Sequence, residues 1–270
     1  MLNILKLDLY KMVRQKSFYI IGIISTAFSA LFACINAGTV RSLYLGNLEL
    51  AKEQGIESLA INMPIIENVT LLILNDLALF MPALFAILFI CSEFSNGTIK
   101  NIVSRGFSRE KIFISKLICG IVTSIIYFTL TTLTVMISVR LVPELDKVPG
   151  SFDLSNEFYS LLGFILLTNI ALVSVAILLS FAVKKSGIAS MIFFVSFLLI
   201  IPIIGGLLKP NPATSSDPDI YSKWFMPTCT SLLINSERTF SNFRDCTITL
   251  ALYTLIPLGI SLPIFKKQDL

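Results

Sequence analysis

Histidine, the commonest general base and metal ligand, is absent from this 270-residue sequence. A His-based catalytic triad, a His metal site and a His general base are therefore excluded. The five cysteines contain no Cys-x-x-Cys pair, and no phosphate-cradling G-x-x-x-x-G-K-[ST] occurs. Any use of ATP must therefore be made by another polypeptide. What remains with informative residue types and spacing is one charged stretch, residues 92–116, which carries Glu93, Lys100, Arg105, Arg109, Glu110, Lys111 and Lys116 between two apolar runs. Its chemistry is mechanical. Ile99, Ile102 and Val103 fall on one face of a short helix that Gly106 ends. Ser108 is placed to N-cap the next helix, with Glu110 in its favoured acidic first turn. A short amphipathic helix held at a membrane surface by two rigid connections can pass a push from a partner into two spans. The competing reading is a basic loop that is merely solvated.

The elements that must position this stretch follow from composition. Hydrophobic residues make up 55% of the chain and charged ones 14%, with a mean hydropathy of +0.83; a soluble domain averages about 25% charged. A soluble enzyme, a disordered tail and a secreted disulfide scaffold are excluded. Uncharged apolar runs lie between Lys16 and Arg41, Asp76 and Glu93, Lys116 and Arg140, Glu157 and Lys184, Lys185 and Lys209, and Asp245 and Lys266. A spanning helix needs about 20 apolar residues. The runs predict an all-α integral membrane protein, a single domain over 1–270 with six transmembrane helices at about 17–38, 71–92, 117–139, 159–183, 186–208 and 246–265. The first run is too long for the h-region of a cleavable signal peptide, so it reads as an uncleaved span.

Lys and Arg sort the connecting segments by side. Thirteen lie in the N-terminal segment, the 92–116 loop, the Lys184–Lys185 turn and the C-terminus, and eight lie in the longer alternate loops. Both termini are expected in the cytoplasm. The basicity then reflects orientation and requires no nucleic-acid partner. Apolar runs free of Asp, Glu, Lys and Arg disfavour a proton-coupled carrier, which places ionisable groups at mid-membrane.

Residues 1–16 pattern as an interfacial helix, with Leu2, Leu5, Leu9, Met12 and Val13 on one side and Asp8, Lys11, Arg14 and Gln15 opposite. In the first span Ser25, Ser29, Ala33 and Ala37 repeat every fourth residue, which predicts a helix-packing face against another span or a second copy. Cys34, Cys91 and Cys119 read as small core residues. Residues 209–245 form the most irregular external segment. Its aromatic and proline cluster, Tyr221, Trp224, Phe225 and Pro227, suggests backbone that dips back to the headgroup level. Cys229 and Cys246 share that side and could pair. Pro202, Gly205 and Gly206 suggest an early break in the fifth span, and Pro82, Pro257 and Pro263 mark kinks or helix ends.

Glu93, Gly97, Thr98 and Ile99, followed by Ser104, Arg105, Ser108, Arg109 and Lys116, resemble the E-x-x-x-G-T…S-R…K stretch of ABC-2-type transporter permeases. The ending Phe265-Lys266-Lys267-Gln268-Asp269-Leu270 is similar to their F-x-[KR]-x-D-L terminus. The resemblance implies the membrane subunit of an ATP-binding-cassette exporter in a bacterial cytoplasmic membrane. Its partners would be cytoplasmic ATPase subunits, which carry the ATP and Mg, a second permease copy or sister permease, and membrane lipids. Residues 94–107 would be the coupling helix, with Glu93, Gly97, Thr98, Ile99, Ile102, Val103, Arg105, Phe107, Ser108 and Arg109 at the ATPase contact. The segment around Trp224 would match the re-entrant stretch on the exit side. The nearest likeness is to permeases for antimicrobial peptides, lantibiotic immunity or bacitracin-type resistance, which implies a hydrophobic or amphipathic cargo. A non-transporting membrane module and an ATP-independent carrier are the alternatives.

Overall fold

Long runs without charge have one economical backbone in lipid, the helix, because only there does each peptide group find its partner within the segment. The computed structural model describes residues 2–53, 65–76, 80–148, 150–155, 157–200, 203 and 240–267, and among them it is helical with short turns and no strand. The helices are α1 (Leu2–Arg14), α2 (Lys16–Glu53), α3 (Ile65–Asp76), α4 (Phe80–Ser95), α5 (Thr98–Ser104), α6 (Arg109–Arg140), α7 (Phe158–Val183), α8 (Ser186–Val195) and α9 (Phe240–Lys267). A 3-10 turn, Leu145–Lys147, follows α6, and the last turn of α8 widens to a π-helix over Ser196–Ile200.

Among the described residues, four helices are long and apolar enough to cross a membrane: Lys16–Gly46, Arg109–Arg140, Phe158–Val183 and Phe243–Lys267. A fifth is reached if α4 and α5, which meet at 63°, are counted as one bent span. Six spans were expected; the described residues carry four, or five with the bent pair. The expected span at 71–92 falls on two helices, α3 and α4. The expected span at 186–208 is described as a helix only over Ser186–Ile200. Pro82 sits in the first turn of α4, where its missing N–H costs little, and Pro257 and Pro263 lie inside α9 without ending it. Tyr221, Trp224, Phe225 and Pro227 lie outside the described residues, as do Pro202, Gly205 and Gly206.

Alongside a hydrophobic core, the bundle buries hydroxyl residues and exposes large apolar ones. Ser25, Ser29, Thr123, Ser124, Thr131, Thr168, Asn169, Ser174 and Ser180 are buried, while Ile23, Phe28, Leu31, Ile35, Leu133, Ile137, Met191 and Leu255 face outward. Of the buried hydroxyls, those of Thr123, Ser124, Thr168 and Ser180 donate to carbonyls one turn back in their own helices at 2.7–3.0 Å, whereas those of Ser25 and Ser29 find no partner among the described residues. Small residues let the helices approach. A Cβ added at Gly120 of α6 would stand 2.7 Å from Val173 Cγ1 of α7. Helix α7 is the hub, packed by α9, α4, α6, α8 and α3.

The Ser25/Ser29/Ala33/Ala37 stripe is buried within this chain. Ala33 and Ala37 pack with Val135 and Val139 of α6 and with Ile65, Ile66, Val69 and Ile73 of α3. Cys34, one residue off that stripe, is exposed rather than in the core, whereas Cys91 and Cys119 are buried as expected. At the same end of the molecule, Glu67 of α3 is buried and accepts from the Ser155 N–H and hydroxyl at 2.7 and 2.9 Å. Cys246, at the start of α9, is disulfide-bonded; Cys229 lies outside the described residues.

Candidate functional site

The opposite end gathers α1, α5, the start of α6 and the last turns of α4, α7 and α9. Helix α5 is shorter than the 94–107 expected, because Phe94 and Ser95 belong to α4 and residues 105–107 form the turn into α6. Its entry is a glycine in the left-handed region, Gly97 at φ 65°, and its exit passes through Gly106 at φ 84°. Glycine adopts these conformations without the Cβ clash that most residues meet there, so the two glycines favour the sharp turns on either side of the helix. Ile99 and Ile102 are buried against the bundle, with Val103 half-buried beside them. Thr98 and Arg109 are half-buried as well, while Arg105, Phe107 and Ser108 are exposed. Ser108 is the N-cap residue of α6 in extended backbone geometry, though its hydroxyl makes no capping bond.

Two devices fix this end from inside. The first is aromatic. Phe94 of α4, Phe113 of α6, Phe181 of α7 and Phe265 of α9 form one cluster, with ring centroids 4.6 Å apart for Phe181–Phe265 and 5.6 Å for Phe113–Phe181. Beside it, Arg109 donates to the carbonyls of Phe265 and Lys266 at 3.0 and 2.6 Å. A cation thereby meets the carbonyls that the end of α9 leaves unpaired. Lys266 returns an ion pair to Glu110.

The second device is a buried charge cluster. Lys116 of α6, whose side chain is fully buried, sits 2.8 Å from Asp8 Oδ1 of α1 and also pairs with Glu93 of α4. By distance these are ion pairs, although the ammonium is not aligned for hydrogen bonding to either acid. Ser115 donates to Asp8 Oδ2 at 2.6 Å, and Lys11 approaches Glu93 Oε1 at 3.4 Å. The ammonium also lies 4.7 Å from the centre of the Phe89 ring. Two acids and two lysines balance, as buried ions must.

The cluster corrects the reading of α1. Asp8 is not on the outer face; Ile4, Asp8 and Met12 form the buried stripe at four-residue spacing, and Val13 is exposed. The facing side of α6 supplies three bonds: Ser115 bonds Asp8, Thr123 donates to Met12 Sδ at 3.1 Å, and farther along Tyr127 donates to the Phe18 carbonyl of α2 at 2.6 Å. In the sequence Lys116 stands out only as the last position of the E-x-x-x-G-T…S-R…K-like stretch, and Asp8 only as a charge on the outer side of residues 1–16. A usable signal was present, because Glu93 ends one apolar run and Lys116 begins the next. On helices joined by a short loop, those residues reach the same depth.

The structure thus brings Glu93, Gly97, Ile99 and Ile102 into one packed unit and leaves Arg105, Phe107 and Ser108 at its surface. It separates these from Ser25, Ser29, Ala33 and Ala37, which serve packing on α2. No curated protein matches the chain. A family model described as DUF2705, a protein of unknown function, matches residues 23–270, and the chain belongs to that family.

Proposed function

We propose that this chain is the membrane-spanning permease subunit of an ATP-driven exporter, working with separate cytoplasmic ATPase subunits and a second permease. The supporting observation is the geometry of α5. A short helix follows a 63° bend, buries Ile99 and Ile102 in the bundle and exposes Lys100, and the turn after it exposes Arg105 and Phe107. Such a helix is supported from within and presents an aromatic and a basic contact to a partner. Force applied there reaches α4 through Gly97 and α6 through Arg109.

In this reading the α5 end is cytoplasmic and both termini lie on that side of a bacterial plasma membrane, as the Lys/Arg bias requires. The six-span arrangement, with a re-entrant segment before α9, is part of the proposal. Closure of the ATPases on ATP would displace α5 and shift the bundle between two packings, each favoured by a different nucleotide state. The buried hydroxyls and apolar surfaces suit a hydrophobic or amphipathic cargo, such as an antimicrobial peptide or a lipid-like molecule.

The test is isolation of the tagged chain from its native membrane in mild detergent. A stoichiometric nucleotide-binding subunit with vanadate-sensitive ATP hydrolysis is expected, and Phe107→Ala should weaken its retention. A chain that reconstitutes transport alone, with no such subunit, is a carrier and contradicts the proposal.

A further inference from the structure

We propose that Lys116 is a positioning residue that locks α1 to the α4–α5 bend, so that the N-terminal helix and the short exposed helix move as one unit. Three helices meet at its ammonium: α1 through Asp8, α4 through Glu93 and α6 through Lys116 itself. Two of them, α4 and α6, are the connections on either side of α5. Glu93 lies one helical turn before Gly97, where the backbone turns left-handed and the bend begins. The remaining polar ties of α1 run to Glu93 itself, through Lys11 at 3.4 Å, and to one face of α6, through Ser115 and through Met12 beside Thr123. Whatever tilts α5 therefore acts on α1 through Glu93 and Lys116.

Stability alone gives no reason for this arrangement. A buried ion cluster replaced by apolar groups of similar volume is often no less stable, because the charges forfeit their hydration. What charges add is geometry. One ammonium between two carboxylates holds its position only while both acids stay in reach, and an apolar contact tolerates sliding that an ion pair does not. The cost of separating the ions keeps α1 in register with the bend.

The use of this lock in ATP-driven transport rests on the permease reading, whereas the lock itself does not, and the experiment separates the two. Spin labels are placed at Leu7→Cys on α1 and Lys100→Cys on α5, both exposed positions, in a Cys34→Ser background. Their distance distribution is then measured in the parent and in the charge-free variant Asp8→Asn/Glu93→Gln/Lys116→Met. A positioning role predicts a folded variant of undiminished thermal stability whose α1–α5 distribution is markedly broader. An unchanged distribution overturns the proposal. Loss of the folded state overturns it too, because the cluster would then serve stability. Where the parent shows ATP-dependent export, the same variant should lose about tenfold in rate. Broadening in a parent that shows no such export leaves the lock standing and removes the permease reading.

Discussion

At the residue scale the protein concentrates its cost and its control in very few side chains. Lys116 is the extreme case, a lysine with no exposed side chain held by acids from two other helices. Removing the cation alone leaves Asp8 and Glu93 buried with only Lys11 near one of them. The single variant Lys116→Met should therefore be destabilised by about 3–5 kcal/mol, read as a fall in the thermal midpoint of the detergent-solubilised protein. The triple variant Asp8→Asn/Glu93→Gln/Lys116→Met should recover that loss. The glycines flanking α5 make a second, cleaner case. Open space surrounds the Cβ position of Gly97, so substitution there meets no steric neighbour and the cost is backbone conformation alone. Gly97→Ala should weaken ATPase retention and destabilise the bend by about 1–2 kcal/mol, whereas Gly97→Asn, which tolerates the left-handed region, should stay near the parent.

At the scale of elements, helix packing follows from small residues and returned hydroxyls, and much of it is legible in the sequence. The four-residue repeat from Ser25 to Ala37 announces a packing face, and α6 and α3 fill it. The Lys116–Arg140 and Glu157–Lys184 runs become α6 and α7 with ends close to those expected. The end of α3 at Asp76 is not legible, because Leu71, Leu72, Ile73 and Leu74 carry the apolar pattern up to it and the expected span runs on through Asn75 and Asp76. Asp8 is misassigned for a similar reason. A charge counts as outward-facing in any amphipathic pattern, and only the partner Lys116, more than a hundred residues away, reverses that. Segregating α1 by polarity alone thus fails where a buried acid is paid for by a distant lysine. The close approach at Gly120 gives a direct check. Gly120→Leu should force α6 from α7 at Val173 and cost about 1–3 kcal/mol, and Val173→Ala in the same chain should restore part of it.

At the scale of the whole molecule, the two ends are built differently. The α5 end is held by ions and by edge-on and tilted aromatic rings. The other end holds the buried Glu67 with Ser155, the Arg41–Glu144 pair and the disulfide at Cys246. That asymmetry fits an inner face that receives force and an outer face stiffened in an oxidising compartment. A fluorescent protein fused after Leu270 should therefore fold and fluoresce in the cytoplasm. Cys246 should react with a thiol reagent only after reduction.

The central claim is that α5 is the contact with an ATPase. A photo-crosslinking residue at position 107, with one at the outward-facing Leu31 as control, tests it in intact membranes. Position 107 should yield an adduct with a polypeptide carrying the G-x-x-x-x-G-K-[ST] phosphate loop, and position 31 should not. Export that continues while position 107 captures no nucleotide-binding protein would contradict the account.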